Sequence, residues 1–506
     1  MDRPCAVAPI IDQLAAPPLV FDFTGLSPHA ANTVSIRSLA ETPVAPLPVR
    51  FARELMNDPG WEKIGSARRG RKPVYVGGIA IAIKGMLLVI VATLGGLGWL
   101  GASELSFQQR VARLDADVAA FRRLRWERPL LRGEPVEGNA AEAFFNALGG
   151  LKRPSPALRQ GLAEQLFYGQ PLLPHQVAPL KQQSEILAEL AASPQRTWSM
   201  TYLRPELGDA MPVPPYPKAL DAALLLLARA STLEPDACLA ASADVARIGQ
   251  DLVPGAPLEA SSVSMRITSL TAYAVRSCAR RATARGLQRA ERAFRELATH
   301  PPPVGHGLEL ADLVAGVEVR KASSLGRDAD HIGILRTLQS RPERLKSWAY
   351  YEDPHRFRAW SPSAYPETLE RWREEDTWRS QSGRPDVAAA SAERIGWLQD
   401  DMRGQALLRA LTVALSALAE RERRGRMPPE PAALRLPSLV DPFSGRPLRQ
   451  RFDPASLELT VWSVGEDLRD GNAEETWNER APLDVIVRLR APKHEQARRR
   501  AGRRGR

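Results

Sequence analysis

The three cysteines, Cys5, Cys238 and Cys278, are the side chains of this sequence best suited to covalent chemistry. A thiol pair in an oxidising compartment closes a disulfide, whereas in the cytosol it stays reduced. Cys238 and Cys278 fall on two segments, Pro235–Val253 and Leu258–Gly286, that read as helices joined by a Pro254-Gly255 turn. They lie about 17 and 23 residues from that turn, an axial mismatch near 9 Å at helical rise. A disulfide requires Cα atoms within about 7 Å. Two readings stand: a Cys238–Cys278 bridge carried by an offset loop, or two buried free thiols.

Other chemistry-bearing residues are scattered. The sequence contains no HExxH, no GxSxG, no GxxxxGK[ST] and no paired CxxC. Seven histidines, His29, His175, His300, His306, His331, His355 and His494, share no ligand spacing; His300 and His306 flank a triple-proline loop. Glu309 and Asp312 are neighbours on one helical face while Glu318 points nearly opposite, so a solvated acidic face outweighs a general acid/base pair.

The compartment of the cysteines is set by residues Gly85–Ala102, eighteen positions without a charge. At helical rise they cover roughly 27 Å, close to the hydrocarbon thickness of a bilayer, and the apolar stretch reaches back to Val74 if Lys84 snorkels. A cleaved signal peptide fits poorly, because about 75 residues precede the segment and Leu100-Gly101-Ala102 lacks the small residue that cleavage needs. Initiation at Met56 is a second option for the N-terminus. Lys63, Arg68, Arg69, Arg71 and Lys72 precede the span, while Arg110, Arg113 and Arg122 after it are offset by Glu104, Asp115 and Asp117. That bias places the N-terminus in the cytoplasm and the C-terminal side in the periplasm.

The formal net charge of +11 is concentrated at two places. Lys493, Arg498, Arg499, Arg500, Arg503, Arg504 and Arg506 face only Glu495 in the tail, and six basic side chains face only Glu62 across 61–84. The remainder is near neutral, which argues against a nucleic-acid partner. The first patch suits an anionic leaflet; the tail is either a solvated end or a contact for anionic lipid or cell-wall polymer.

These groups are positioned by a mainly α chain: a single transmembrane helix, an irregular helical ectodomain and a small antiparallel β-sheet at the C-terminus. Residues 1–73 read as a mostly disordered cytoplasmic arm, 74–102 as the transmembrane helix and 103–128 as a juxtamembrane helical stalk. The stalk carries Phe107, Val111, Leu114, Val118 and Phe121 at steps of four and three. That stripe either packs on the protein's own core or pairs with a second copy as a homodimer. Residues 129–400 form a helical periplasmic domain, with Asn139 as a cap and helices at Pro156–Gln165, Pro174–Ala192, Pro217–Ser231, Pro235–Val253, Leu258–Gly286, Leu287–Thr299 and Leu308–Ser323. The run LDAALLLLARA (220–230) is apolar nearly all round and predicts a central helix. Within 345–400, Trp348, Trp360, Trp372, Trp378 and Trp397 either make a partner surface or pack on the body.

Residues 401–490 are the most patterned. A helix at Ala406–Arg424 is followed by an Asp-Pro turn in DPFSGRPL (441–448) and strands at Leu448–Phe452, Leu457–Ser463 and Asp484–Arg490. Ser463-Val464-Gly465-Glu466-Asp467 follows the second strand. This arrangement resembles the C-terminal module of type II secretion major pseudopilins over about 85 of 506 residues. The resemblance implies a calcium loop, here Asp467, Asp470, Asn472 and Glu474, with Glu475 adjacent; hard oxygen ligands on a loop suit that cation. Leu468 stands where the family has glycine, and the prepilin-type start is absent, so an unliganded turn is the other reading. Residues 491–506 form a disordered Arg-rich tail.

The expected function is therefore that of a single-pass protein of a bacterial inner membrane, an envelope or secretion-associated scaffold contacting the lipid bilayer and envelope proteins. The rivals are an envelope hydrolase-like enzyme with a site assembled from distant residues, and a reader of anionic polymer through the tail.

Overall fold

The computed structural model describes residues 76–201, 203–323, 365, 370, 385–434, 436, 439–473 and 484–492. Backbone contacts divide the chain into two compact units, whose described parts are 76–118 with 315–323, and 119–314 with 365–492.

The first unit is dominated by α1 (Val76–Phe121), one unbroken helix of 46 residues that crosses into the second unit at its end. Its two halves obey different rules. From Met86 to Trp99, side chains such as Leu87, Val89, Val91 and Leu94 are exposed all round. From Phe107 onward only one stripe is apolar, and Phe107, Leu114, Val118 and Phe121 are all buried within the chain. The switch follows composition: the first half has no polar face to turn toward water, the second has one. Arg320 of α10 (Gly305–Ser323) donates to Asp115 at 2.6 Å on the second half. The helix ends at Phe121 rather than running on to 128 as the stalk expectation had it.

The second unit begins with a small three-stranded sheet. Strands β1 (Trp126–Glu127), β2 (Val136–Asn139) and β3 (Arg196–Ser199) lie in the order β1-β3-β2, with β1 antiparallel and β2 parallel to β3. Helices α2 (Ala140–Gly150), α3 (Pro156–Tyr168), α4 (Pro174–Gln182) and α5 (Ser184–Ala192) intervene. Asn139 caps α2 as its sequence position suggested, accepting from the Ala141 N–H at 3.1 Å, and its amide exchanges two further bonds with the Met200 backbone. Ser155 caps α3 ahead of Pro156. The single helix expected over 174–192 is broken at Gln183, four residues after an internal Pro179.

The helical body consists of α6 (Tyr216–Ser231), α7 (Pro235–Asp251), α8 (Glu259–Ala279), α9 (Ala284–Thr299), the start of α10 and α11 (Pro385–Arg424). One core joins α2 to α6, the start of α10 and parts of α7 and α8, with Leu398 of α11; a second joins α7, α8, α9, α11 and the C-terminal sheet. Residues Ala222–Ala228 of α6 are buried all round, as the LDAALLLLARA run requires. Helix α11 starts at Pro385, so the boundary expected at 401 falls inside a continuous helix.

Cys238 opens α7 and Cys278 closes α8, and a disulfide joins them with Cα atoms 6.1 Å apart. Residues 252–258 form the offset connection that absorbs the axial mismatch. The connection turns at Gly255 (φ +69°), and a Cβ there would run into the Met200 side chain and the Thr201 carbonyl. Asp236, in the first turn of α7, caps the same end of the pair by accepting from the Thr283 N–H (2.9 Å) and hydroxyl (2.6 Å).

The C-terminal sheet has the order β4 (Arg449–Asp453), β5 (Glu458–Ser463), β6 (Val485–Arg490), antiparallel throughout. Leu459 pairs with Phe452 and Leu489, and Val461 with Val487, so one face of alternate residues joins the core that includes α11.

The Gly255→Ala variant is expected to lose about 2–3 kcal/mol of stability, because it combines a left-handed backbone with a blocked Cβ position. Urea unfolding followed by circular dichroism measures this; a loss below about 0.5 kcal/mol would contradict the close packing of that turn.

Candidate functional site

Three groups of polar side chains are organised enough to be weighed as sites. The first lies where the segment after α1 meets α7. Asp244, Arg247 and Asp251 recur at three and four residues, on one side of α7. Arg128 is wholly buried and forks onto Asp251, with Nη2 donating to Oδ2 at 2.7 Å and Nε to Oδ1. Its remaining donors reach the carbonyls of Arg196 (2.7 Å) and Pro194 (3.3 Å). Burial pushes the Asp251 and Asp244 carboxyls above the usual range, and the Arg128 and Arg132 guanidiniums pull them back. Arg132 pairs with Asp244. Arg247 is 1% exposed, donates from Nη2 to the Pro129 carbonyl at 3.4 Å and sits 5.6 Å from the centroid of the Trp126 ring. Burial lowers its guanidinium to about 10. The group holds no nucleophile: Arg128 pairs with Asp251 and Arg132 with Asp244, Arg247 keeps Nε and Nη1 buried without a hydrogen-bond partner among the described residues, and together they fasten residues 126–132 to the helical body.

The second group is the C-terminal turn and loop. The Asp441 carboxylate accepts from the Phe443 N–H (3.0 Å), the Ser444 hydroxyl (2.7 Å), the Ser463 hydroxyl (2.7 Å) and the Val464 N–H (3.3 Å). A single side chain thus ties the DPFSG turn to the end of β5. Beyond it, Asp467 accepts from the Arg469 N–H at 3.0 Å. Asp470 accepts from the Trp462 indole at 3.0 Å and the Asn472 N–H at 3.1 Å and lies 3.3 Å from Arg449; the indole bond leads in holding its carboxyl below the usual range. Asp484, which the sequence reading did not single out, accepts from the Gly471 and Ala473 N–H groups, and burial raises its carboxyl. Leu468 has φ +59°, a left-handed backbone that glycine would adopt at lower cost. Among the described residues no group of three or more His, Cys, Asp or Glu side chains is arranged to hold a metal ion, and Glu474 lies outside those residues. No chemical step is assigned to calcium.

A related buried carboxylate lies on α11. Asp401 accepts from the Gln405 amide at 2.7 Å, and burial pushes it up to about 7 against the pull of Gln405 and Arg409.

The third group is a recess of about 430 Å³ at the small sheet, lined by Arg125, Glu127, Arg128, Pro129, Glu137, Thr197 and Trp198. The Arg125 guanidinium lies 4.7 Å from the centroid of the Trp198 ring. Glu137 accepts from the Thr197 hydroxyl at 3.1 Å.

Of the other sequence candidates, His300 approaches Glu296 at 3.3 Å, and burial lowers His306. Glu309, Asp312 and Glu318 lie on α10, where Glu318 accepts from Lys321 at 2.8 Å. Trp348, Trp360, Trp372 and Trp378 lie outside the described residues; Trp397 packs half-buried on the first helical core. Tyr365 is buried edge-on against Phe443 at 4.9 Å. No protein-family model, no curated protein and no solved structure matches the chain.

Two expectations follow from the buried charges. Arg128→Met leaves the Asp251 carboxylate buried without its cation, and should cost about 3–5 kcal/mol. Arg128→Met with Asp251→Leu should recover much of that loss in urea unfolding; no recovery would show that Arg128 acts otherwise. Asp401, whose folded value exceeds its unfolded one, binds protons more tightly in the native state, so its contribution falls as pH rises from about 4 through about 7. Relative to the wild type, Asp401→Asn should therefore gain about 2 kcal/mol more stability at pH 8 than at pH 5. An equal difference at both pH values would refute the shift.

Proposed function

We propose that this chain is a membrane-anchored scaffold of the bacterial cell envelope. In this reading residues 84–102 cross the inner membrane, the N-terminal arm stays in the cytoplasm and the disulfide-bearing helical domain faces the periplasm. The observation that carries the reading is the change of character within α1: apolar side chains exposed on every side from Met86 to Trp99, then a single buried stripe from Phe107. A helix exposed all round with such side chains has no stable place in water, and about 20 such residues match the hydrocarbon core. Among the described residues it is the one helix long and apolar enough to cross a bilayer.

Orientation rests on two further supports. The basic cluster at 61–84 precedes the span. The Cys238–Cys278 bridge lies on the other side of it, and such bridges persist in oxidising compartments. The envelope role is that of holding partners: the Trp-rich segment supplies large amphipathic rings for protein contact, and the C-terminal helix-and-sheet module, with its pseudopilin-like turn and loop, makes a secretion-associated assembly the natural setting.

The test is topology and redox state in cells. Alkaline phosphatase fused after residue 492 should be active, and the chain should resist carbonate extraction yet dissolve in detergent. After unfolding in urea, a maleimide should label Cys238 and Cys278 only if the chain is first reduced, since both lie buried in the fold. Replacing both by serine should cost about 3–4 kcal/mol, as expected for a 40-residue loop. An inactive fusion, or free thiols in the native chain, would overturn the proposed orientation.

A further inference from the structure

One end of the helical body carries a surface that the scaffold reading leaves unused. Three pieces of chain meet there. The end of α3 packs on the end of α8: the Phe167 ring lies 4.9 Å from that of Tyr273, and a Cβ on Gly169 would come within 3.3 Å of the Ser277 hydroxyl. The Cys238–Cys278 bridge staples the start of α7 to the same end of α8. Asp236 joins the start of α7 to Thr283 and, at 3.6 Å, to Arg289 of α9. Exposed side chains of two kinds lie among these fastenings. Tyr168, which closes α3, is 52% exposed, and Leu233, in the connection before α7, is 44% exposed. Arg280, Arg281 and Arg285 are exposed, and their guanidiniums make no hydrogen bond or ion pair among the described residues. Residues 276–299 hold seven arginines and no lysine against Glu291 and Glu296, which are taken by Arg295 and His300. Arg276 turns away to Glu458 at 3.8 Å. The neighbouring carboxylates are Asp236, already held, Glu164, which accepts from Gln160 at 3.0 Å, and the exposed Glu234. The surface is therefore basic, with single apolar tips set between its charges.

We propose that this end of the body docks on an anionic phospholipid bilayer, its guanidiniums on lipid phosphates and Tyr168 and Leu233 in the boundary between headgroups and acyl chains. Arginine forks match phosphate oxygens bidentately. A tyrosine has an apolar ring for the acyl chains and a hydroxyl for the water above them. Isolated tips between charges suit a fluid surface that closes around each of them, rather than the fixed relief of a second protein. The proposal rests on the anchored reading for its setting. Only the stretch from Ala102 to Ala119, roughly 26 Å at helical rise, separates the proposed span from this unit, so a chain anchored through α1 keeps the surface at high effective concentration beside lipid.

The experiment uses the full chain reconstituted into vesicles of phosphatidylcholine alone or with about 30% phosphatidylglycerol. In a Cys5→Ser background, Gln170→Cys carries an environment-sensitive NBD label, and some of the lipid carries a nitroxide near the headgroup. The bridged and buried Cys238 and Cys278 do not react. Quenching of about twofold or more is expected with the anionic lipid, little without it, and a large reversal in about 0.5 M salt. The same label on Ala455→Cys, exposed on the C-terminal sheet, should stay unquenched. Arg280→Gln with Arg281→Gln and Arg285→Gln should shift the docking equilibrium about a hundredfold and remove the quench. Leu233→Ser alone should weaken it by about tenfold. Melting curves by circular dichroism identify any variant that fails to fold, and the salt and lipid arms need no variant of the surface. Carbonate extraction of the same vesicles reports on α1. A retained chain with an unquenched label at 170 overturns the docking alone, and a released chain whose label was quenched beforehand overturns the anchor alone. The proposal also fails if phosphatidylcholine alone quenches equally, if the arginine variant keeps the quench, or if the label at 455 is quenched as strongly.

Discussion

The carboxylate of Asp251, buried at the C-terminal end of α7, imposes a requirement that organises the domain. A charge removed from water needs a cation and a full set of donors, and Arg128 supplies both from a segment more than a hundred residues earlier. The last carbonyls of α7 carry a second requirement, since a helix end leaves them without partners. Here the Ser199 hydroxyl donates to the Asp251 carbonyl at 2.7 Å, the Thr201 hydroxyl to Leu252 at 3.2 Å and the Thr201 N–H to Pro254 at 2.7 Å. Strand β3 is thereby held at the helix end, and β1 and β2 assemble on it. The small sheet, its recess and the exit from α1 all follow from satisfying one helix terminus.

Much of this architecture was legible in the sequence. Prolines at helix starts, the Asn139 cap and the heptad-like stripe each correspond to an element or a buried face. The apolar run in α6 was recognisable as central, although the price of its Asp221 was not: that carboxylate is held by Arg153 and Arg159, both at 2.7 Å, from another helix and its approach. Strands of two and four residues carry no detectable alternation, so the first sheet was invisible. Arg128, Trp198 and Asp251 were missed for the same reason, because their meaning lies in partners far away in sequence. A charged residue inside an otherwise apolar helix was the available signal, and it points to a partner without naming it. The Cys238–Cys278 geometry turned on a connection whose conformation depends on Gly255 and its neighbours, not on helical rise alone.

The C-terminal module shows local and long-range cues agreeing. Its three strands lie within one residue of the positions that alternation predicts. The Asp-Pro turn does more than reverse the chain: Asp441 reaches across to Ser463 and Val464, so turn and loop are one hydrogen-bonded unit. Three residues of that loop with side chains, Leu468, Asn472 and Ala473, adopt left-handed backbones, each costing free energy that an ordinary turn residue would not. The surrounding bonds to Asp470 and Asp484 offset that cost.

The placement of β6 has a consequence for biogenesis. Leu489 is fully buried among residues of α7, α8, α9 and α11, so the larger of the two cores takes one wall from a strand at 485–490. The other core draws almost wholly on residues 144–308, with Leu398 the exception. As the ribosome releases the chain from its N-terminal end, the earlier core has nearly all its parts by Leu308, well before the strand at 485–490 lets the later one close. Cys238 and Cys278 emerge within that first interval, so an oxidant can staple α7 to α8 while the wall that will cover them is still unmade.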